Sequence, residues 1–187
     1  MGLLKRLNGN KYSVLEVNFL SARRTGHVKA QLPLDPDDFD GDNKAENGML
    51  LKYNTVTGYV EKPANQNTMV MLHFSVEKEY DNIRPGLNTF ALEPGEFYPR
   101  LYGLSLGDTW TTDAVKLDCE DNDEAVLTAY EGVSKGDTFA VNSDGFLDQS
   151  NTTGEAVICV VVDNEATLPN GGKALKFEVL QVGPKVD

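Results

Sequence analysis

The sequence predicts an all-β fold, a small β-barrel or β-sandwich with long loops and an extended N-terminal segment. Three observations predict it. Short runs rich in Val, Ile, Tyr, Phe and Thr recur along the 187 residues. Turn signals built from Gly, Pro, Asn and Asp separate them at close intervals. No window of a dozen residues repeats its apolar positions with the 3.6-residue period of a helix. Many short strands at such spacing close into a barrel or pack as a sandwich.

In chain order, strands are expected in "YSVLEVNFL" (Tyr12 to Leu20), "HVKAQLPL" from His27, "MLLKY" (Met49 to Tyr53), "TMVMLHFSV" (Thr68 to Val76) and "NTFAL" (Asn88 to Leu92). The second half continues with "EAVLTAY" (Glu124 to Tyr130), "DTFAV" (Asp137 to Val141), "EAVICVVV" (Glu155 to Val162) and "KALKFEVLQV" (Lys173 to Val182). The run "EAVICVVV" is apolar at both alternating sets of positions, so it is expected as a central strand covered above and below. Thr57-Gly58, Pro85-Gly86, Pro94-Gly95, Ser143-Asp144-Gly145 and Asn170-Gly171-Gly172 supply the turns. Leu32 to Gly48, with two prolines and five aspartates, reads as a long exposed loop. It sets the expected boundary between an N-terminal arm and acidic loop, residues 1–45, and a β domain, residues 46–187, with two related modules at about 46–118 and 119–187. The acidic stretch Asp118 to Glu124 reads as a second solvated loop.

One motif is written twice. Ser105 to Trp110 is "SLGDTW" and Ser134 to Phe139 is "SKGDTF". Gly followed by Asp ahead of a Thr-aromatic pair is a turn that launches a strand, because Gly accepts positive φ and Asp bonds its own backbone. Gly107 with Asp108 and Gly136 with Asp137 are therefore expected to start equivalent strands, with Trp110 and Phe139 turned into the core. Asp144 and Gly145 mark a tight hairpin.

Charge is unevenly spread. The net charge is −12, yet residues 1–30 carry Lys5, Arg6, Lys11, Arg23, Arg24 and Lys29 against Glu16 alone. An acidic body argues against nucleic acid as the partner, while the basic arm suits either an acidic protein surface or plain solvation. Cys119 and Cys159 are the only cysteines and form no CxxC pair, so neither a disulfide framework nor a zinc knuckle is indicated. No run approaches the roughly 18 apolar residues of a membrane span, and "MGLLKRLNGNKYSV" lacks the apolar core of a signal peptide. The expectation is a protein made and kept in a reducing cytoplasm.

Catalytic and metal patterns fail on spacing. Asp38, Asp40 and Asp42 alternate, but Asn43 stands where an EF-hand needs Gly and Met49 where it needs the bidentate Glu. His27 and His73 have no second ligand at metal spacing, and His73, inside an apolar run, reads as a core residue. Neither a nucleophile elbow nor a phosphate-binding Gly-rich loop is present. No enzymatic activity, cofactor or metal is expected.

From Gly132 the chain reads as a turn (Lys135-Gly136-Asp137), a short strand, an Asp144-Gly145 hairpin, a polar loop, the Ala156 to Val162 strand and a Gly-flanked closing strand over Gly171 to Val179. This order resembles the β modules of tailed-phage head decoration proteins, also called capsid cement proteins. The likeness covers about 50 residues, and this chain is longer than many such modules. It implies a non-enzymatic virion protein, assembled in the host cytoplasm and bound to the capsid exterior. Its partner would be the major capsid protein, with a homotrimer favoured and neither nucleic acid nor membrane involved. Lys5, Arg6, Lys11, Arg23 and Arg24 are the candidate contacts to an acidic shell, on an arm expected to order only against that shell. The competing reading is a carbohydrate-binding or adhesin-like module of a head fibre or tail, with Trp110, Tyr98 and Tyr102 as a stacking platform.

Overall fold

The computed structural model describes residues 2–16, 20–21, 27–75, 86–150 and 156–183. Strand predominates, and the curled sheets form a half-barrel. In spatial order the larger, seven-stranded sheet contains β1 (Gly2–Leu3), β10 (Val115–Leu117), β12 (Leu147–Asp148), β11 (Thr138–Val141), β13 (Val157–Asp163), β14 (Leu175–Val182) and β9 (Thr109–Thr112). Its pairs are antiparallel except β10 with β12. The second sheet has five strands: β2 (Val28–Lys29), β8 (Leu101–Tyr102), β6 (Met71–His73), β4 (Leu50–Asn54) and β5 (Tyr59–Glu61). A two-stranded ribbon joins β3 (Ala45–Glu46) to β7 (Ala91–Leu92). Strands β1, β9 and β10 precede residue 118 in the chain, yet they share one sheet with β11 to β14, which follow it.

The duplicated motif is a local twofold of the large sheet. Asp108 and Asp137 each close a turn by donating their N–H to the carbonyl of Ser105 and Ser134, at 3.0 and 3.1 Å. Each carboxylate accepts the N–H of that same serine at 2.8 Å. Gly107 and Gly136 occupy the third position of these turns with φ of +80° and +99°, the type II geometry that only glycine enters freely. Gly107 then donates to Val179, which donates back to Asp108; Gly136 donates to Val161, which donates back to Asp137. Thr138, Val160, Glu178 and Thr109 stand in one row across four strands. Exchanging β9 with β11 and β13 with β14 maps these pairs onto one another. Trp110 and Phe139 are fully buried and flank Phe177, with ring centroids 6.0 and 5.3 Å from it. The symmetry ends at the core, where Cys159 stands in the position equivalent to Phe177.

Several expectations are corrected. "EAVLTAY" is not a strand: it lies in helix α2 (Asp123–Gly132). The Asn122 side chain caps it by accepting the Ala125 N–H at 2.9 Å, and Asp123 and Glu124 sit in the first turn, where the helix dipole favours anions. Val126, Tyr130 and Val133 are buried at helical spacing. The acidic stretch expected as a loop is thus partly the start of this helix. Strand β13 is central, but its burial alternates: Val157, Cys159 and Val161 face the core while Ile158 and Val160 are only half-buried.

Leu32 to Gly48 is not a free loop. Leu34 and Phe39 are buried in a second apolar cluster with Val60 and Leu101, because residues 33–35 bond along β5 and cover that sheet edge. Its aspartates still face outward at Asp37, Asp40 and Asp42. The described residues of Tyr12 to Leu20 form no named strand: Leu15 bridges to Thr112 and Glu16 donates to Thr111, flanking the edge strand β9, and residues 17–19 lie outside the described ones.

The arm is also held. β1 pairs with β10, the single-turn helix α1 (Leu4–Leu7) packs beside α2, and Leu4 is fully buried. Apolar anchoring by Leu4, Leu15 and Tyr12 outweighs the segment's basic composition.

Candidate functional site

The described cationic residues of the N-terminal segment are engaged with their own chain. Arg6 pairs with Asp121 and Asp123 at 3.1 Å each, and its hydrogen bond to Asp123 raises its affinity for the proton. Lys11 lies over the Tyr12 ring, 5.2 Å from its centroid. Lys5 points inward onto both carboxylate oxygens of Glu46, and the two side chains are only 12% and 11% exposed. Arg23 and Arg24 lie outside the described residues. Asp144 pairs with Lys116, while the hairpin it belongs to is organised by Asn142, whose Oδ1 accepts the N–H groups of Asp144 and Phe146 at 3.0 and 3.1 Å. Gly145 brings the hairpin tip against β4, where Leu50 donates to its carbonyl at 2.7 Å.

Around Lys5 lies a polar cluster, sealed where the N-terminal segment crosses the large sheet. Glu46 Oε2 accepts both the N–H and the hydroxyl of Ser13 at 2.8 Å. Asp113, fully buried between β9 and β10, accepts from Val14 N at 2.6 Å, Asn10 Nδ2 at 2.7 Å and Asn8 Nδ2 at 3.3 Å. Burial pushes its carboxyl up to about 6 against the pull of these donors and of the Lys5 charge. Asn8 also brackets Lys173, donating to its carbonyl and accepting its N–H at 2.7 Å each. These bonds fix residues 5–14 to three distant parts of the chain.

On the far side of Glu46, His73 Nδ1 lies 2.8 Å from the Glu46 carbonyl and Nε2 lies 3.0 Å from Ser75 Oγ. A carbonyl only accepts, so Nδ1 carries the proton and Nε2 accepts from Ser75. Burial pulls the ring down to about 4, which keeps it neutral. The pair has a base and a hydroxyl at bonding distance. However, His73 and Ser75 are both buried, and the hydroxyl also accepts the Arg100 N–H. His73 is the core residue that its apolar run suggests.

No family model, curated protein or solved structure matches the chain. Among the described residues no group of three or more His, Cys, Asp or Glu side chains is placed to hold a metal ion, and no helix is long and apolar enough to cross a membrane.

The exposed surface offers contacts of another kind. Phe97 and Tyr98, in the loop between β7 and β8, are 56% and 57% exposed, and Leu106, at the tip of the first twin turn, is more exposed still. The three-residue stacking platform does not form, because Trp110 is fully buried and Tyr102 nearly so, leaving only Tyr98 in solvent. Sequence reading missed Glu46, Asp113, Ser13, Asn8 and Asn10, since their partners lie 33 to 165 residues away. The one local signal was the pair Asn8 and Asn10 flanking a glycine.

Proposed function

We propose that this chain is a structural virion protein that decorates and stabilises the outside of a tailed-phage capsid by binding major capsid protein subunits. The observation that carries the reading is the build of residues 132–182. The Lys135-Gly136-Asp137 turn, β11, the Asp144-Gly145 hairpin, β13, the Gly171-Gly172 turn and β14 follow in the order on which the likeness to decoration proteins rests. Rigid loops set on a packed sheet suit a clamp whose work is contact, since strands fix the positions of the loops that touch a partner.

The placement of the charges revises how such contact is made. Lys5 and Arg6 are neutralised internally, so the basic arm supplies less attraction to an acidic shell than its composition promises. Exposed apolar side chains, Phe97, Tyr98 and Leu106, are the better candidates for shell contact. Each copy needs only modest affinity, because a lattice multiplies weak contacts.

Co-sedimentation of the purified chain with assembled heads and with free major capsid subunits, at low and high salt, tests this reading. Binding to heads that survives high salt and is weakened by Phe97→Ser with Tyr98→Ser supports it. Binding to neither form of the capsid protein, with retention on a polysaccharide, sinks it in favour of the adhesin.

A further inference from the structure

Among the described residues, Lys5 with Glu46, Lys44 with Glu93, Lys52 with Glu61 and Lys116 with Asp144 are lysine–carboxylate pairs in close side-chain contact. The last three keep one partner about a third to a half exposed. Of these pairs, Lys5 and Glu46 are the one in which both side chains are close to nine-tenths buried. The Lys5 amine rests against both oxygens of Glu46, and the Phe146 ring lies over it at 5.5 Å. Asp113 is committed to Val14, Asn10 and Asn8, which leaves Glu46 as the hydrogen-bonding carboxylate of Lys5. From these contacts we propose that Lys5 and Glu46 condense to an intramolecular amide, an isopeptide bond tying helix α1 to strand β3 without any added enzyme.

The chemistry balances within the site. In the first step one ammonium proton passes to Glu46 Oε1, which leaves a neutral amine beside a neutral acid. The amine nitrogen attacks the carboxyl carbon. The charge that develops on Oε2 meets two donors already in place, the N–H and hydroxyl of Ser13 at 2.8 Å. The nitrogen gives up a second proton to Oε1, with which it is in contact; the carbon–Oε1 bond breaks and one water leaves. Oε2 remains as the amide carbonyl, still held by Ser13. No oxidant, reductant or cofactor enters. In water such a condensation is unfavourable, but groups fixed in attacking position reach effective concentrations of about 10⁵–10⁸ M. Both backbones are fixed here, Lys5 by buried Leu4 and the β1–β10 pairing and Glu46 by its pairing with Ala91. The bond would close a span of 41 residues, the kind of cross-link that restricts the unfolded chain. The inference is independent of the proposed capsid role.

Mass spectrometry of the denatured, purified full chain tests it. The expected mass is one water below that of the sequence, whether or not the first methionine is retained. Trypsin should fail to cut after Lys5 and should yield a branched peptide joining the N-terminal fragment that ends at Arg6 to residues 45–52. Glu46→Gln should lose one ammonia in place of one water, and Lys5→Arg should run at full mass. A wild-type chain at full mass overturns the proposal. So does a missing water that maps elsewhere, for instance to a succinimide at Asp40-Gly41 or Asp144-Gly145.

Discussion

Replacing Gly136 by alanine isolates one physical term. A Cβ at this position would meet no atom within 4 Å outside its chain neighbours, so packing neither gains nor loses. The cost is the backbone conformation alone: with φ at +99°, an L-residue brings its Cβ against its own peptide units, at about 1–2 kcal/mol. Gly107, at φ +80° and equally open, should cost the same, because the local twofold gives both turns the same bonds. Gly132 is the internal control. It is the last residue of α2, without positive φ and also in open space, so Gly132→Ala should stabilise by about 0.5–1 kcal/mol through helix propensity and a less flexible unfolded chain. Urea unfolding at fixed pH measures all three, and for a chain of this size about 1–2 kcal/mol moves the melting temperature by about 2–8 °C. Gly136→Ala as stable as the parent, or a Gly107→Ala cost differing by more than about 1 kcal/mol, would refute equivalence of the turns.

Two further outcomes follow from buried groups. His73 is held near 4 against an ordinary 6.5, so its contribution to stability is present above pH 6.5 and lost as the pH falls towards 4. Asp113, raised from 3.8 to about 6, does the opposite: its contribution is present below 3.8 and lost as the pH rises through about 6. The two terms oppose each other across one window, each worth about 3 kcal/mol at 1.36 kcal/mol per unit. The stability gap between the parent and His73→Gln should therefore shift by about 3 kcal/mol between pH 7 and pH 4, to the disadvantage of the parent on acidification; a gap that ignores pH contradicts the burial of a neutral ring. Trp110 is the sole tryptophan, fully buried, and its indole N–H makes no hydrogen bond. Its fluorescence should be blue-shifted and resist iodide quenching in the native state, and ready quenching would put it on the surface.

What the sequence made legible was short-range. The twin Gly-Asp turns, the Asp144-Gly145 hairpin, and strands β4, β11, β13 and β14 each follow from turn chemistry and period-2 patterning within a few residues. The helix α2 escaped because its ten residues are shorter than the window searched and begin with acids that read as a loop. The acidic loop misled for a related reason: five aspartates dominate its composition, while Leu34 and Phe39, the residues that anchor it, bury themselves against partners distant in sequence. The same limit hid the polar cluster. Lys5 counts as a surface charge until Glu46 arrives from 41 residues away, and Asp113 looks like an ordinary turn aspartate until Asn8, Asn10 and Val14 close over it. Tertiary placement decided the role of each charge, and neither composition nor spacing encodes it.

The proposed work of this protein is contact with a capsid shell. Cryo-electron microscopy of mature heads, prepared with and without the purified chain, tests it most directly. Added density is expected on the outer surface, centred on local threefold points, in which three copies of the half-barrel fit with the Phe97–Tyr98 loop against the shell. Heads that show no added density at saturating protein, or density confined to the tail, would contradict it.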